Sequence, residues 1–121
     1  MNRRFTILTH DFPFLHWDLL VENDESLLSW RLREEPEKGR KIACEPLPDH
    51  RRLYLDYEGP VSGDRGTVLQ WTTGTCDLQR EGESLYRLQV ESPRLQGKMI
   101  LQEEANGEWF CYSPGMEPSS D

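Results

Sequence analysis

The sequence predicts an all-β domain, an antiparallel barrel or sandwich of about eight short strands. Two observations carry this. Segments of alternating apolar and polar or β-branched residues recur along the chain, and clusters of Gly, Pro, Asn and Asp separate them. No segment keeps a 3.6-residue apolar period over the ~10 residues an amphipathic helix needs. Taken in order, residues 5–9 (FTILT), 17–21 (WDLLV), 27–32 (LLSWRL) and 41–44 (KIAC) read as strands, and 67–73, 85–90, 98–102 and 109–112 add four more. The connections include Asp-Phe-Pro, Glu-Asn-Asp-Glu, Pro-Glu-Lys-Gly, Arg-Glu-Gly-Glu and Ala-Asn-Gly-Glu, whose backbone preferences favour reversal. Residues 50–57 (HRRLYLDY) fit a helical turn or a strand equally. Residues 1–113 are expected to form one domain, and 114–121 a disordered tail.

Of the 121 residues, 36% are hydrophobic and 30% charged, enough apolar side chains for one core without covalent staples. No run approaches the ~20 apolar residues of a membrane span and no apolar signal core follows Met1, so a monomeric cytoplasmic protein is expected. Cys44, Cys76 and Cys111 are widely spaced and odd in number, which argues against a disulfide framework and a cysteine zinc site. The net charge of −8 argues against broad nucleic-acid binding. Its distribution is uneven: residues 31–52 hold seven bases and five acids, whereas 53–121 hold five bases and twelve acids. A local basic surface is compatible with that pattern.

Candidate chemistry gathers at the histidines. Along a strand, residues two apart face the same way, so His16 and Asp18 share one face while Trp17, Leu19 and Val21 take the other as core. His10 ends the preceding strand, and the short connection through Pro13 can fold it back beside His16. Two neutral imidazoles and a carboxylate are a common ligand set for Mn, Fe or Zn with positions left open for water and substrate. His50 and Tyr54, four residues apart, fall on one side of either a helical turn or a strand. An imidazolium and a phenol donate well to a phosphoryl oxygen, such a histidine can protonate a leaving group, and Arg51 and Arg52 beside them add positive charge. Trp17, Trp30, Trp71 and Trp109 read as core.

The ordered set His10-x5-His16-Trp17-Asp18-Leu19, Leu28-Ser29-Trp30, Lys41-Ile42-Ala43 and Asp49-His50-x3-Tyr54-x2-Tyr57-Glu58-Gly59 resembles the 3′-phosphoesterase family, a module of bacterial DNA ligase D that also occurs as stand-alone proteins. Gly66-Thr67-Val68, Trp71, Gly74-Thr75 and Leu95-x-Gly97 continue the resemblance. It implies a compact β-barrel and a manganese-dependent enzyme, with Zn²⁺ or Co²⁺ as other divalent options. Such an enzyme removes a 3′-phosphate or terminal ribonucleoside from DNA 3′ ends or a primer-template, with a repair ligase or polymerase as partner. By position, His10, His16 and Asp18 match the metal ligands, and His50 and Tyr54 the catalytic, phosphate-contacting pair, with Arg52 as a further phosphate-binding candidate. One departure bears on activity. After His-x-Asp the family usually has Leu-Arg-Leu-Glu, its arginine helping to hold the phosphate, whereas this chain reads Leu19-Leu20-Val21-Glu22. Arg4, Lys41, Arg51 and Arg52 are candidate replacements. Whether the domain turns over therefore stays open, with a metal-binding barrel that holds a nucleic-acid end or partner protein without turnover as the alternative.

Overall fold

The computed structural model describes residues 2–114. Its strands are β1 (Arg3–His10), β2 (His16–Asn23), β3 (Ser26–Leu32), β4 (Lys41–Arg51), β5 (Gly59–Pro60), β6 (Thr67–Glu81), β7 (Leu85–Glu91), β8 (Gln96–Glu103) and β9 (Trp109–Tyr112), with one 3-10 turn, Arg52–Leu55, after β4. The order β1-β2-β3-β4-β9-β8-β7-β6 closes through a β6–β1 pairing, giving an eight-stranded antiparallel barrel, and the two-residue β5 adds to the outer edge of β6. Barrel or sandwich is thus decided by one long-range pairing. The expected tail, apart from Pro114, lies outside the described residues. Among those described, no helix is long and apolar enough to cross a membrane.

Closure divides each strand's side chains between inside and outside. Phe5, Leu19, Trp30, Ile42, Cys76, Leu88, Leu101 and Cys111, one from each barrel strand, meet in the interior. Trp30 is buried there, and Trp17, Trp71 and Trp109 pack against it, so all four tryptophans are core as expected. The outward set on β1–β3 is also covered. Leu8, Leu20 and Leu27 join Val68 of β6 beneath Leu55, and Tyr54, Tyr57 and Val61 pack against them. Residues 50–57 adopt both forms the sequence allowed: strand through Arg51, then the 3-10 turn that sets Leu55 onto this second cluster.

β4 continues past the expected 41–44 through Pro46 and Pro48. Only residues 41–44 pair with β9, so beyond Cys44 the strand has a free edge on which a proline's missing donor is tolerated. β6 passes through Gly74, where a Cβ would lie 2.0 Å from the Glu91 carbonyl oxygen of β7. A backbone atom cannot yield as a side-chain end can. Gly74→Ala is expected to destabilise the barrel by about 2 kcal/mol or more, read as a lower urea midpoint with unchanged slope. An unchanged midpoint would mean that β6 and β7 are not this close.

The three cysteines are free and buried. Burial pushes the Cys44 thiol up to about 12 and the Cys76 thiol up to about 11, and it raises Cys111 as well. None has the lowered pKa of a nucleophilic thiol.

Candidate metal and phosphate site

The β1–β2 hairpin sets His10 directly opposite His16, with ring centroids 4.9 Å apart. Asp18 follows on the same face. His10 Nδ1 lies 3.6 Å from Asp18 Oδ2 and His16 Nε2 lies 3.2 Å from Asp18 Oδ1. One ligand atom from each of the three residues falls within 4.8 Å of the others. Both rings are held by their remaining nitrogen, His16 Nδ1–H donating to the Phe14 carbonyl at 2.9 Å and His10 Nε2–H to the Arg65 carbonyl at 2.8 Å. A carbonyl only accepts, so in the neutral rings the lone pairs of His16 Nε2 and His10 Nδ1 turn toward the carboxylate.

The Arg65 carbonyl arrives there because the β5–β6 loop packs tightly on the hairpin turn. Gly66, at φ +81°, has no room for a Cβ, which would lie 2.3 Å from Asp11 Oδ1 and 2.7 Å from Phe12 Cβ. Asp11 Oδ1 in turn accepts from the Thr67 amide at 2.8 Å.

His16 is fully buried and Asp18 is 5% exposed, and neither His16 Nε2 nor Asp18 Oδ1 has a hydrogen-bond partner. Two buried acceptors facing each other leave their desolvation uncompensated, at about 1–3 kcal/mol each. A divalent cation resolves this, and two imidazoles with a carboxylate, each ring oriented by a backbone carbonyl, form a donor set suited to Mn²⁺, Fe²⁺ or Zn²⁺. The residues fit a metal.

A groove of about 360 Å³ opens above this trio, at the small end of ligand pockets. His10, Asp18, Pro48, His50, Arg51 and Tyr54 line it, and Arg31 and Arg65 also contribute. His50 reaches it through a bulge, in which Pro48 and Asp49 together oppose Leu28 and shift the register so that His50 pairs with Leu27. Its Nδ1–H donates to the Pro48 carbonyl at 3.1 Å. The Tyr54 ring, carried by the 3-10 turn, meets His50 edge to face at 5.9 Å. The grouping of His10, His16, Asp18, His50 and Tyr54 is therefore spatial as well as sequential, with His16 beneath the floor.

The basic candidates fare differently. Arg52 does not line the groove: it donates to Glu22 at 2.5 Å and to the Asp24 carbonyl at 2.6 Å. The strand ends between Arg51 and Arg52, and the change of backbone direction separates two neighbours that look equivalent in sequence. Arg4 forks onto Asp56 and holds its carboxyl below the usual range. Glu22 is likewise held low, first by the Arg4 amide and then by Arg52. Lys41 pairs with Glu104 and sits over Phe110, on β4 where it meets β9. Of the four replacements expected for the missing arginine, only Arg51 lines the groove.

Residues 8–106 match the family model described as the DNA ligase D 3′-phosphoesterase domain. The chain belongs to this family. It is also 31% identical over 87 residues to the multifunctional non-homologous end joining protein LigD of Pseudomonas aeruginosa, a match covering 65% of the chain and 10% of that protein. The chain thus spans about a tenth of that relative's length. Family membership supports a phosphoesterase role in processing DNA ends.

Within the 3′-phosphoesterase family, Leu20 is the departure to account for. It is 0% exposed, packed with Leu8, Leu27, Leu55 and Val68, and does not line the groove. Sequence reasoning missed Arg31, which pairs across from Asp18 on β3 and does line it. The signal was available as alternation, since Arg31 falls on the outward face of a strand whose inward residues are Trp30 and Leu32. Its relation to Asp18, however, depends on the β2–β3 register.

Proposed function

We propose that this domain is a divalent-metal-dependent phosphoesterase that acts on 3′ ends of DNA, removing a 3′-phosphate or a terminal ribonucleoside to leave a 3′-hydroxyl. The observation that carries the reading is the converging, backbone-fixed lone pairs of His10 and His16 around a buried carboxylate, at a groove that His50 and Tyr54 also line. His10, His16 and Asp18 would hold the ion, with Mn²⁺ the favoured choice. When bound, such an ion supplies charge neutralisation at the phosphoryl group and activation of water. His50 lines the groove with its Nδ1–H fixed on the Pro48 carbonyl, and in the imidazolium form its Nε2–H would donate to a phosphoryl oxygen as negative charge develops. Tyr54 adds a phenolic donor beside it. Arg52, engaged with Glu22, contributes to the wall's stability in this reading rather than to phosphate binding. DNA ends as substrate and a repair ligase or polymerase as partner belong to the same proposal, which the family match and the relative's end-joining description support.

Incubating the chain with a 3′-phosphate oligonucleotide is expected to release phosphate with Mn²⁺ and not with a chelator. Metal-dependent binding of the oligonucleotide without release would favour the second reading, an end-binding barrel that does not turn over, which the loss of the family arginine at Leu20 supports.

A further inference from the structure

We infer that Arg31 is the phosphate-binding cation of this groove, taking over from a neighbouring strand the charge that the family usually carries at the Leu20 position. This rests on the phosphoesterase reading for its substrate, though its own observations are independent. Arg31 faces the groove beside Asp18, its cross-strand partner. Its Nε is buried and has no hydrogen-bond partner. A buried guanidinium N–H left unpaired is costly, and an oxyanion entering the groove would satisfy it.

The charge of Arg31 is also largely uncommitted. Beside Asp18, the carboxylate within ion-pair distance is Glu45, whose Oε2 lies 3.8 Å from Arg31 Nη1 but 2.8 Å from Arg33 Nη2, so Glu45 belongs mainly to Arg33. The Phe14 ring lies 5.8 Å from the Arg31 guanidinium carbon and 5.1 Å from that of Arg33, which limits how far either side chain swings.

Other cations at the groove are less suited. Arg65 donates from Nε to the Ser62 carbonyl at 2.6 Å and from Nη2 to Ser62 Oγ at 3.1 Å. Arg51 is exposed, and holding a phosphate would require it to give up more rotamer freedom than the half-buried Arg31. Arg31 is pre-placed. With Leu20 committed to the cluster under the 3-10 turn, the positive charge moves one strand over and stays beside the same carboxylate.

The test compares wild type, R31A, R31K and R51A, each loaded with Mn²⁺, for inorganic phosphate affinity, Mn²⁺ affinity and kcat/KM on a 3′-phosphate oligonucleotide. R31A is expected to weaken phosphate binding about 10-fold or more and to lower kcat/KM about 100-fold, with Mn²⁺ affinity changed less than about threefold. R31K keeps the charge without the fork and is expected to recover part of the loss, which also guards against a folding defect in R31A. R51A removes a second, exposed cation of the groove and is expected to cost several-fold less than R31A in phosphate affinity and kcat/KM. Turnover and phosphate binding untouched by R31A would overturn the inference while leaving the phosphoesterase reading intact. Phosphate binding that depends on Arg31 in a protein with no turnover would support the inference and remove that reading. Loss confined to R51A would reassign the role, and a wild type that neither binds phosphate nor turns over would remove both.

Discussion

His16→Ala is expected to abolish metal-dependent turnover and to weaken Mn²⁺ binding by at least about a hundredfold, more than the 10–100-fold lost when only an orienting partner of a ligand is removed. His16 Nε2 and Asp18 Oδ1 are buried and 3.2 Å apart, and with the ring neutral both are acceptors that a shared cation would satisfy. Adding Mn²⁺ should therefore stabilise the wild type by mass action, by about 2.7 kcal/mol at one hundred times Kd, a rise in Tm of about 10 °C for a chain of this size. In His16→Ala that rise should disappear. Because the substitution removes a fully buried ring, its metal-free Tm is the reference against which the shift is read. A shift of wild-type size in the variant would place the ion elsewhere.

Leu20→Arg gives the second large effect, and here sequence and structure point in opposite directions. By motif, arginine at this position restores the family pattern and should raise activity. By packing, it puts a guanidinium among Leu8, Leu27, Leu55 and Val68 at a site with no solvent exposure. The loss of leucine contacts and the desolvation of an unpaired charge predict destabilisation of about 3 kcal/mol, measured by urea unfolding, with no gain in turnover. The 3-10 turn rests on this cluster, so Tyr54 would be displaced along with Leu55. Gained activity at undiminished stability would mean that the arginine reaches the groove past Leu55 and that Leu20 is a disabling replacement.

Much of the fold was legible because its strands are separated by turns and alternate visibly. All eight barrel strands fall on the segments marked by alternation. What was illegible is non-local. Closure depends on β1 meeting β6, which no local pattern announces, and the extension of β4 through Pro46 and Pro48 depends on that strand's free edge. β5 is a two-residue pairing that composition does not mark.

The candidate site divides along the same line. His10, His16 and Asp18 lie within one hairpin, where the period of two and a short connection suffice to bring them together. Arg52 lies two residues from His50 in sequence, but the strand-to-turn transition sends it to Glu22 instead. Arg31 belongs to a different strand from every residue it is proposed to work with, and its place beside Asp18 is a property of register. The buried state of Leu20 was equally invisible, because the outer face of a barrel is normally wet and here the 3-10 turn, with Tyr57 and Val61 after it, makes it dry.

In the proposed function one groove holds both a divalent ion, on His10, His16 and Asp18, and a phosphate, beside His50. Anomalous diffraction from crystals grown with Mn²⁺ and inorganic phosphate tests it most directly. A manganese peak bounded by His10, His16 and Asp18 is expected, with phosphate density between that peak and His50. A saturated crystal with no manganese at these three side chains would contradict it.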